Sequence, residues 1–232
     1  MRPQLTRLAT LALAALITLA VAASAQDAKK PAAPPDDPAK LKATIAALQK
    51  EVAELKLKLA AGELEKIGAK VTTDKPREGG EVITVNILRL WNGDKDGLAR
   101  LKDLPNVQVV YVDNGQFNDA AVAALKDLAR LNSLTVMSPQ VTDAALESLK
   151  SMTDLNMLFL TGTKVGDPGL AHLKGLKNLK VLALSRTQVT DKGLESLKEL
   201  KGLKSLYLIG TKVSDDGVKK LKESLPGIAV YK

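Results

Sequence analysis

Residues Gly169–Leu208 read GLAHLKGLKNLKVLALSRTQVTDKGLESLKELKGLKSLYL, and the second half repeats the first. Leu170, Leu173, Leu176, Leu179, Leu182 and Leu184 recur at a constant offset as Leu194, Leu197, Leu200, Leu203, Leu206 and Leu208. The same frame runs backwards through Leu146, Leu149, Met152, Leu155, Leu158 and Leu160. It continues to Val122, Leu125, Leu128, Leu131, Leu134 and Val136, then to Leu98, Leu101, Leu104, Val107, Val110 and Val112. A fixed period between about 20 and 50 residues marks a stacked array of small units, none of which covers its own apolar face.

Each unit divides into a strand, a turn and a short helix. The strand carries a Leu-x-Leu core, as in Leu182-Ala-Leu184, and the turn follows at Leu184-Ser-Arg-Thr187-Gln-Val189. The helix start is marked by Asp119, Asp143, Asp167, Asp191 and Asp215, each one period from the next. An acid there is expected to accept the unpaired backbone N–H groups of its own helix. Two places on, Gly97, Ala121, Ala145, Gly169, Gly193 and Gly217 are all small, which predicts close approach between neighbouring helices. After Leu221 the frame slips by one residue at Leu225 and Ile228, and the last segment reads as a terminal edge strand.

The pattern resembles the leucine-rich repeat family over about residues 64–232. The form Leu184-Ser-Arg-Thr-Gln-Val-Thr-Asp-Lys-Gly-Leu194 is similar to repeats of secreted planctomycete-type bacterial proteins, and to those that follow F-boxes in ubiquitin-ligase adaptors. No F-box-like segment is evident, so the adaptor role is not carried over. Thr163, Thr187 and Thr211 stand where an asparagine ladder is usual in the family, and Gly115 and Pro139 fall near those positions in earlier copies. The resemblance implies an α/β solenoid with a parallel sheet on the concave side and short helices on the convex side. It also implies a role as a protein-binding scaffold.

The rest of the chain reads as accessories to this array. Residues 1–25 have the make-up of a secretory signal: Arg2 and Arg7, an apolar run from Leu8 to Ala22, then Ala23-Ser24-Ala25. Cleavage after Ala25 and a secreted or periplasmic destination follow, with no stable membrane span once the signal is cut. Residues 26–38 form a Pro/Ala linker with four prolines. Over 39–61 the spacing predicts an amphipathic helix, with Ile45, Val52 and Leu59 at heptad position a and Leu41, Leu48 and Leu55 at d. This pattern suits a parallel two-stranded coil and a homodimer, or a helix that packs on its own domain. Residues 62–97 read as a cap over the open end of the array: a helix end, then two short strands, at Val71 and Val82–Ile87, with Trp91 as cap packing. The repeats then occupy 98–232.

Composition removes several classes of function. The chain has no cysteine and a single histidine, His172, so disulfides, thiolate sites and multi-histidine metal sites have no ligands. No glycine-rich phosphate loop or acid–base pair emerges, and we expect no cofactor, no metal and no enzymatic activity. The formal charge is +8, with acids and bases interspersed, which does not argue for specific nucleic-acid binding. A lysine ladder at Lys102, Lys126, Lys150, Lys174, Lys198 and Lys222 would allow weak contact with a polyanion, or only keep the convex face soluble.

The candidate partner-binding residues lie between the leucines of the strands. Tyr111, Thr135, Phe159, Ala183 and Tyr207 form a central column, flanked by Met157 on one side and Ile209 on the other. Exposed aromatics in a row are characteristic of protein-binding surfaces, although strands favour such residues in any case. The expected function is an exported protein-binding scaffold. The alternatives are a structural or envelope-associated oligomer held by the N-terminal helix, or a weak polyanion-binding module.

Overall fold

A computed structural model describes residues 38–74, 82–92 and 95–232. The leader at 1–25, its cleavage after Ala25 and the linker up to residue 37 lie outside the described residues. Contacts divide the chain into two units, residues 1–51 and 52–232. The helix α1, Pro38–Glu65, begins in the first and ends in the second. It is longer than the helix expected at 39–61. Pro38, assigned to the linker, instead opens α1, where its missing N–H removes no helical hydrogen bond. Gly62 does not stop the helix, because Leu64, next to the end, is fully buried in the core and holds the last turn.

The second unit contains one sheet of eight strands in sequence order: β1 Ala69–Asp74, β2 Val82–Ile87, β3 Val107–Asp113, β4 Ser133–Met137, β5 Met157–Phe159, β6 Val181–Ala183, β7 Ser205–Tyr207 and β8 Ala229–Tyr231. β1 pairs antiparallel with β2, and every later pair is parallel. The sheet is open. Between the parallel strands run α2 Lys95–Leu98, α3 Asp119–Ala123, α4 Asp143–Leu149, α5 Asp167–Leu170, α6 Asp191–Leu197 and α7 Asp215–Ser224. Short 3-10 turns at Ala99–Asp103 and Ala171–Gly175 extend α2 and α5.

The sequence period is a physical register. Leu134, Leu158, Leu182, Leu206 and Val230 pair in succession across β4 to β8, and the four leucines are fully buried. Removing one such side chain from water contributes about 2 kcal/mol. The turns are closed by the three threonines. Thr163, Thr187 and Thr211 donate their hydroxyls to the carbonyls of Leu160, Leu184 and Leu208 at 2.8, 2.6 and 2.7 Å. In the two earlier copies the buried polar residue sits one place earlier, at Asn114 and Ser138, and bonds the turn backbone from there.

The aspartates do something other than cap their own helices. The caps are the preceding residues: Asn118, Thr142, Thr190 and Ser214 accept the N–H groups of Ala121, Ala144, Lys192 and Gly217. Each aspartate from Asp119 to Asp191 instead reaches the next repeat. Thr142 N–H and its hydroxyl bond the two oxygens of Asp119 at 2.7 and 2.6 Å, and Thr190 does the same to Asp167 at 2.8 and 2.6 Å. Ser214 repeats the geometry on Asp191 at 2.7 and 2.5 Å. Gly166 has no hydroxyl and offers Asp143 only its N–H, at 2.7 Å. This ladder also sets the size of three of the small residues. A Cβ at Gly169, Gly193 or Gly217 would overlap the carboxylate of Asp143, Asp167 or Asp191.

The expected slip in the last unit is local. Leu225 and Ile228 are one residue off frame and both buried, but β8 pairs with β7 back in frame, Tyr207 opposite Tyr231. Gly227, in the left-handed region at φ 86°, turns the chain between the two shifted residues.

Asp167→Ala strips both acceptors from Thr190 and is expected to cost about 1–3 kcal/mol, read as a lowered denaturation midpoint. Gly193→Ala should be destabilising alone and better tolerated beside Asp167→Ala, a coupling that a double-mutant cycle measures.

Asp191 gives a pH-dependent counterpart. The Ser214 hydroxyl, then its backbone N–H, hold the Asp191 carboxyl below its ordinary pKa, with Lys220 and Lys232 acting in the same sense and desolvation opposing. A depressed carboxylate contributes stability that is present above the unfolded pKa, about 3.9 for aspartate, and lost as the pH falls through the folded value. The gap in unfolding midpoint between wild type and Asp191→Asn should therefore be full near neutrality and close below that range.

Candidate protein-binding face

In β3 to β8 the side chains alternate between the core and the opposite, open face of the sheet. On β3, Val110 and Val112 are fully buried while Tyr111 between them is half-buried. Strand register then sets the open face in columns. Asn86, Tyr111, Thr135, Phe159, Ala183, Tyr207 and Tyr231 pair in unbroken succession from β2 to β8. Beside them run Val109, Ser133, Met157, Val181, Ser205 and Ala229.

The residues expected from the sequence are thus brought onto one face, but not all present the same surface. Tyr111, Thr135, Met157, Phe159 and Tyr207 are half-buried. Ile209, just past β7, is 54% exposed. Ala183 is only 4% exposed, so it forms floor between Phe159 and Tyr207 and offers almost no contact area of its own. Two members of the column were missed. Asn86 lies in the cap, outside the repeat frame. Tyr231 was assigned to a slipped unit, yet it stacks on Tyr207 with ring centroids 4.6 Å apart and planes inclined by 12°. That spacing matches the distance between neighbouring strands, so the sheet itself sets the stack.

The charge on this face is low. With Asp113, Met137, Thr161, Ser185 and Ile209 as the third column, Asp113 is the one ionisable acid or base on the open face of β3 to β8 other than tyrosine. In a chain of which 26% is charged, such a stretch is depleted. The convex helices carry the opposite character. There Lys150, Lys174 and Lys198 lie 3.4, 3.4 and 2.7 Å from Glu147, Glu199 and Glu195, so half of the lysine ladder is paired with acids.

Two other regions bear on function. At the start of strands β3 to β6 a polar groove of about 340 Å³ is lined by Asn106, Gln108, Arg130, Asn132, Asp154, Asn156 and Asn178. The recurrence of Asn106, Arg130, Asp154 and Asn178 at the repeat spacing was the signal for it in the sequence. In the cap, Trp91 is 3% exposed and packs at 5.2 Å on the fully buried Phe117, as core rather than as a stacking platform. His172 is half-buried on its 3-10 turn. Among the described residues no helix is long and apolar enough to cross a membrane.

Comparison with known proteins agrees with this architecture. The family model described as Leucine Rich repeat matches residues 175–198, one repeat length. No curated protein matches the sequence. Among solved structures, internalin C2 of Listeria monocytogenes is similar at a TM-score of 0.50 and 23% identity, over 63% of this chain and 69% of that one. A second Listeria monocytogenes internalin aligns at a TM-score of 0.45 and 20% identity, over 59% of this chain and 36% of the other. A leucine-rich repeat protein of Leptospira interrogans aligns at 0.45 and 19%, over 59% and 33%. This chain thus spans about a third of the length of the latter two. The strand order, the open parallel sheet and the likeness to internalin C2 give the second unit the fold of a leucine-rich repeat solenoid.

Proposed function

We propose that this chain is an exported, non-enzymatic scaffold that holds a protein partner on the open face of its repeat sheet. The observation that carries this reading is the column from Tyr111 to Tyr231. Apart from the floor at Ala183, it is a row of aromatic and hydroxyl side chains with one neighbouring acid, left partly accessible while the leucines behind it are buried. Large aromatics at the centre of an accessible apolar patch are the side chains on which protein partners gain most of their binding energy. Export rests on the leader-like segment at 1–25. The paired lysines of the convex side leave less free charge for a polyanion. The exposed leucines of α1 favour a second reading, an oligomer held by that helix.

The test is capture from the native exported fraction. Wild-type protein should enrich a partner that Phe159→Ser/Tyr207→Ser releases, with affinity lowered at least about 30-fold. A control with Lys150, Lys174 and Lys198 neutralised should keep it. Equal capture by the Phe159→Ser/Tyr207→Ser protein would overturn the assignment of this face.

A further inference from the structure

The last turns of α1, which belong to the second unit, have two unlike stripes. Leu64 is fully buried, and Ala60 and Leu57 pack on the same core. At about 100° per residue these three share one side of the helix, and Leu55 and Leu59 fall roughly 170° and 130° away from it. Those two leucines are 58% and 68% exposed. The helix is already anchored by its other stripe, so folding does not account for them. The sequence carries the same spacing upstream, where Ile45 and Leu48 are 46% and 52% exposed.

We propose that this stripe is covered by the same helix of a second copy, parallel and in register. The residue types select that occupant. Ile45 and Val52 at a, with Leu48 and Leu55 at d, favour two parallel strands. Charge complementarity fixes the register: Glu51 at g faces Lys56 at e of the partner, and in their own chain neither belongs to an ion pair among the described residues. A lipid surface would call for a cationic polar side and aromatics at the boundary. Here Lys42, Lys50, Lys56 and Lys58 are mixed with Glu51 and Glu54, and residues 39–65 contain no aromatic. The inference stands independently of the partner assigned to the open face.

Sedimentation equilibrium of the chain from Gln26 onward should show a reversible monomer–dimer equilibrium. Leu55→Lys/Leu59→Lys should give a monomer at every concentration with unchanged circular dichroism. Glu51→Lys should weaken dimerisation about fivefold, and adding Lys56→Glu should restore it. The chain has no cysteine, so Leu55→Cys introduces one thiol, and oxidation should yield a disulfide-linked dimer only in the parallel arrangement. The proposal fails if the wild type is monomeric throughout, if its dimer survives Leu55→Lys/Leu59→Lys, or if Leu55→Cys does not cross-link. It also fails if the monomer sediments with phosphatidylglycerol vesicles.

Discussion

A single repeat of this chain presents a row of leucines that its own length cannot cover, and everything else follows from the need to bring the next repeat over them. Leu158, Leu182 and Leu206 are each dry because the unit before and the unit after are in register. Burial alone is non-directional, however, and would tolerate sliding. The aspartate ladder removes that freedom. A carboxylate that accepts both the N–H and the hydroxyl of a residue in the following unit is directional and charge-assisted, and it fixes the offset between neighbours. At Gly169, Gly193 and Gly217 the carboxylate leaves no room for a Cβ, while Ala145 holds the equivalent place beside Asp119.

The same register produces the face on which function is proposed. Because side chains alternate along a strand, stacking the leucines behind the sheet automatically stacks the residues between them in front. The repeat keeps the buried set nearly invariant and varies the open set, so the accessible columns are where one copy differs from another. Phe159, Ala183 and Tyr207 occupy equivalent places yet differ greatly in bulk. The outcome is a surface with relief, in which the alanine is floor and the rings stand on either side.

The terminal segments solve a related problem. β1 runs antiparallel on β2, and Leu64, Ile67 and Trp91 fill the space that a preceding repeat would have filled. Gly68, at φ 84°, makes the turn from α1 into β1, where any Cβ would collide with the backbone of Leu90 and Trp91. The ion pair of Glu63 with Arg100 at 3.2 Å ties the end of α1 to the first repeat.

The sequence by itself determined the repeat length, the buried leucines, the order of strands and helices, and the columns of the open face. All of these depend only on which residues recur at a fixed offset. Tertiary structure decided what an offset cannot encode. The aspartates looked like caps for their own helices, but their partners lie in the following unit, and only the distance between stacked helices selects one over the other. The slip at Leu225 and Ile228 looked like a break in the frame. Strand pairing returns Val230 and Tyr231 to it, because backbone hydrogen bonds between strands tolerate no one-residue error without reversing the faces. Ala183 looked like part of a contact surface, and its burial follows from the size of neighbours that are a full repeat away in the chain and one strand away in space.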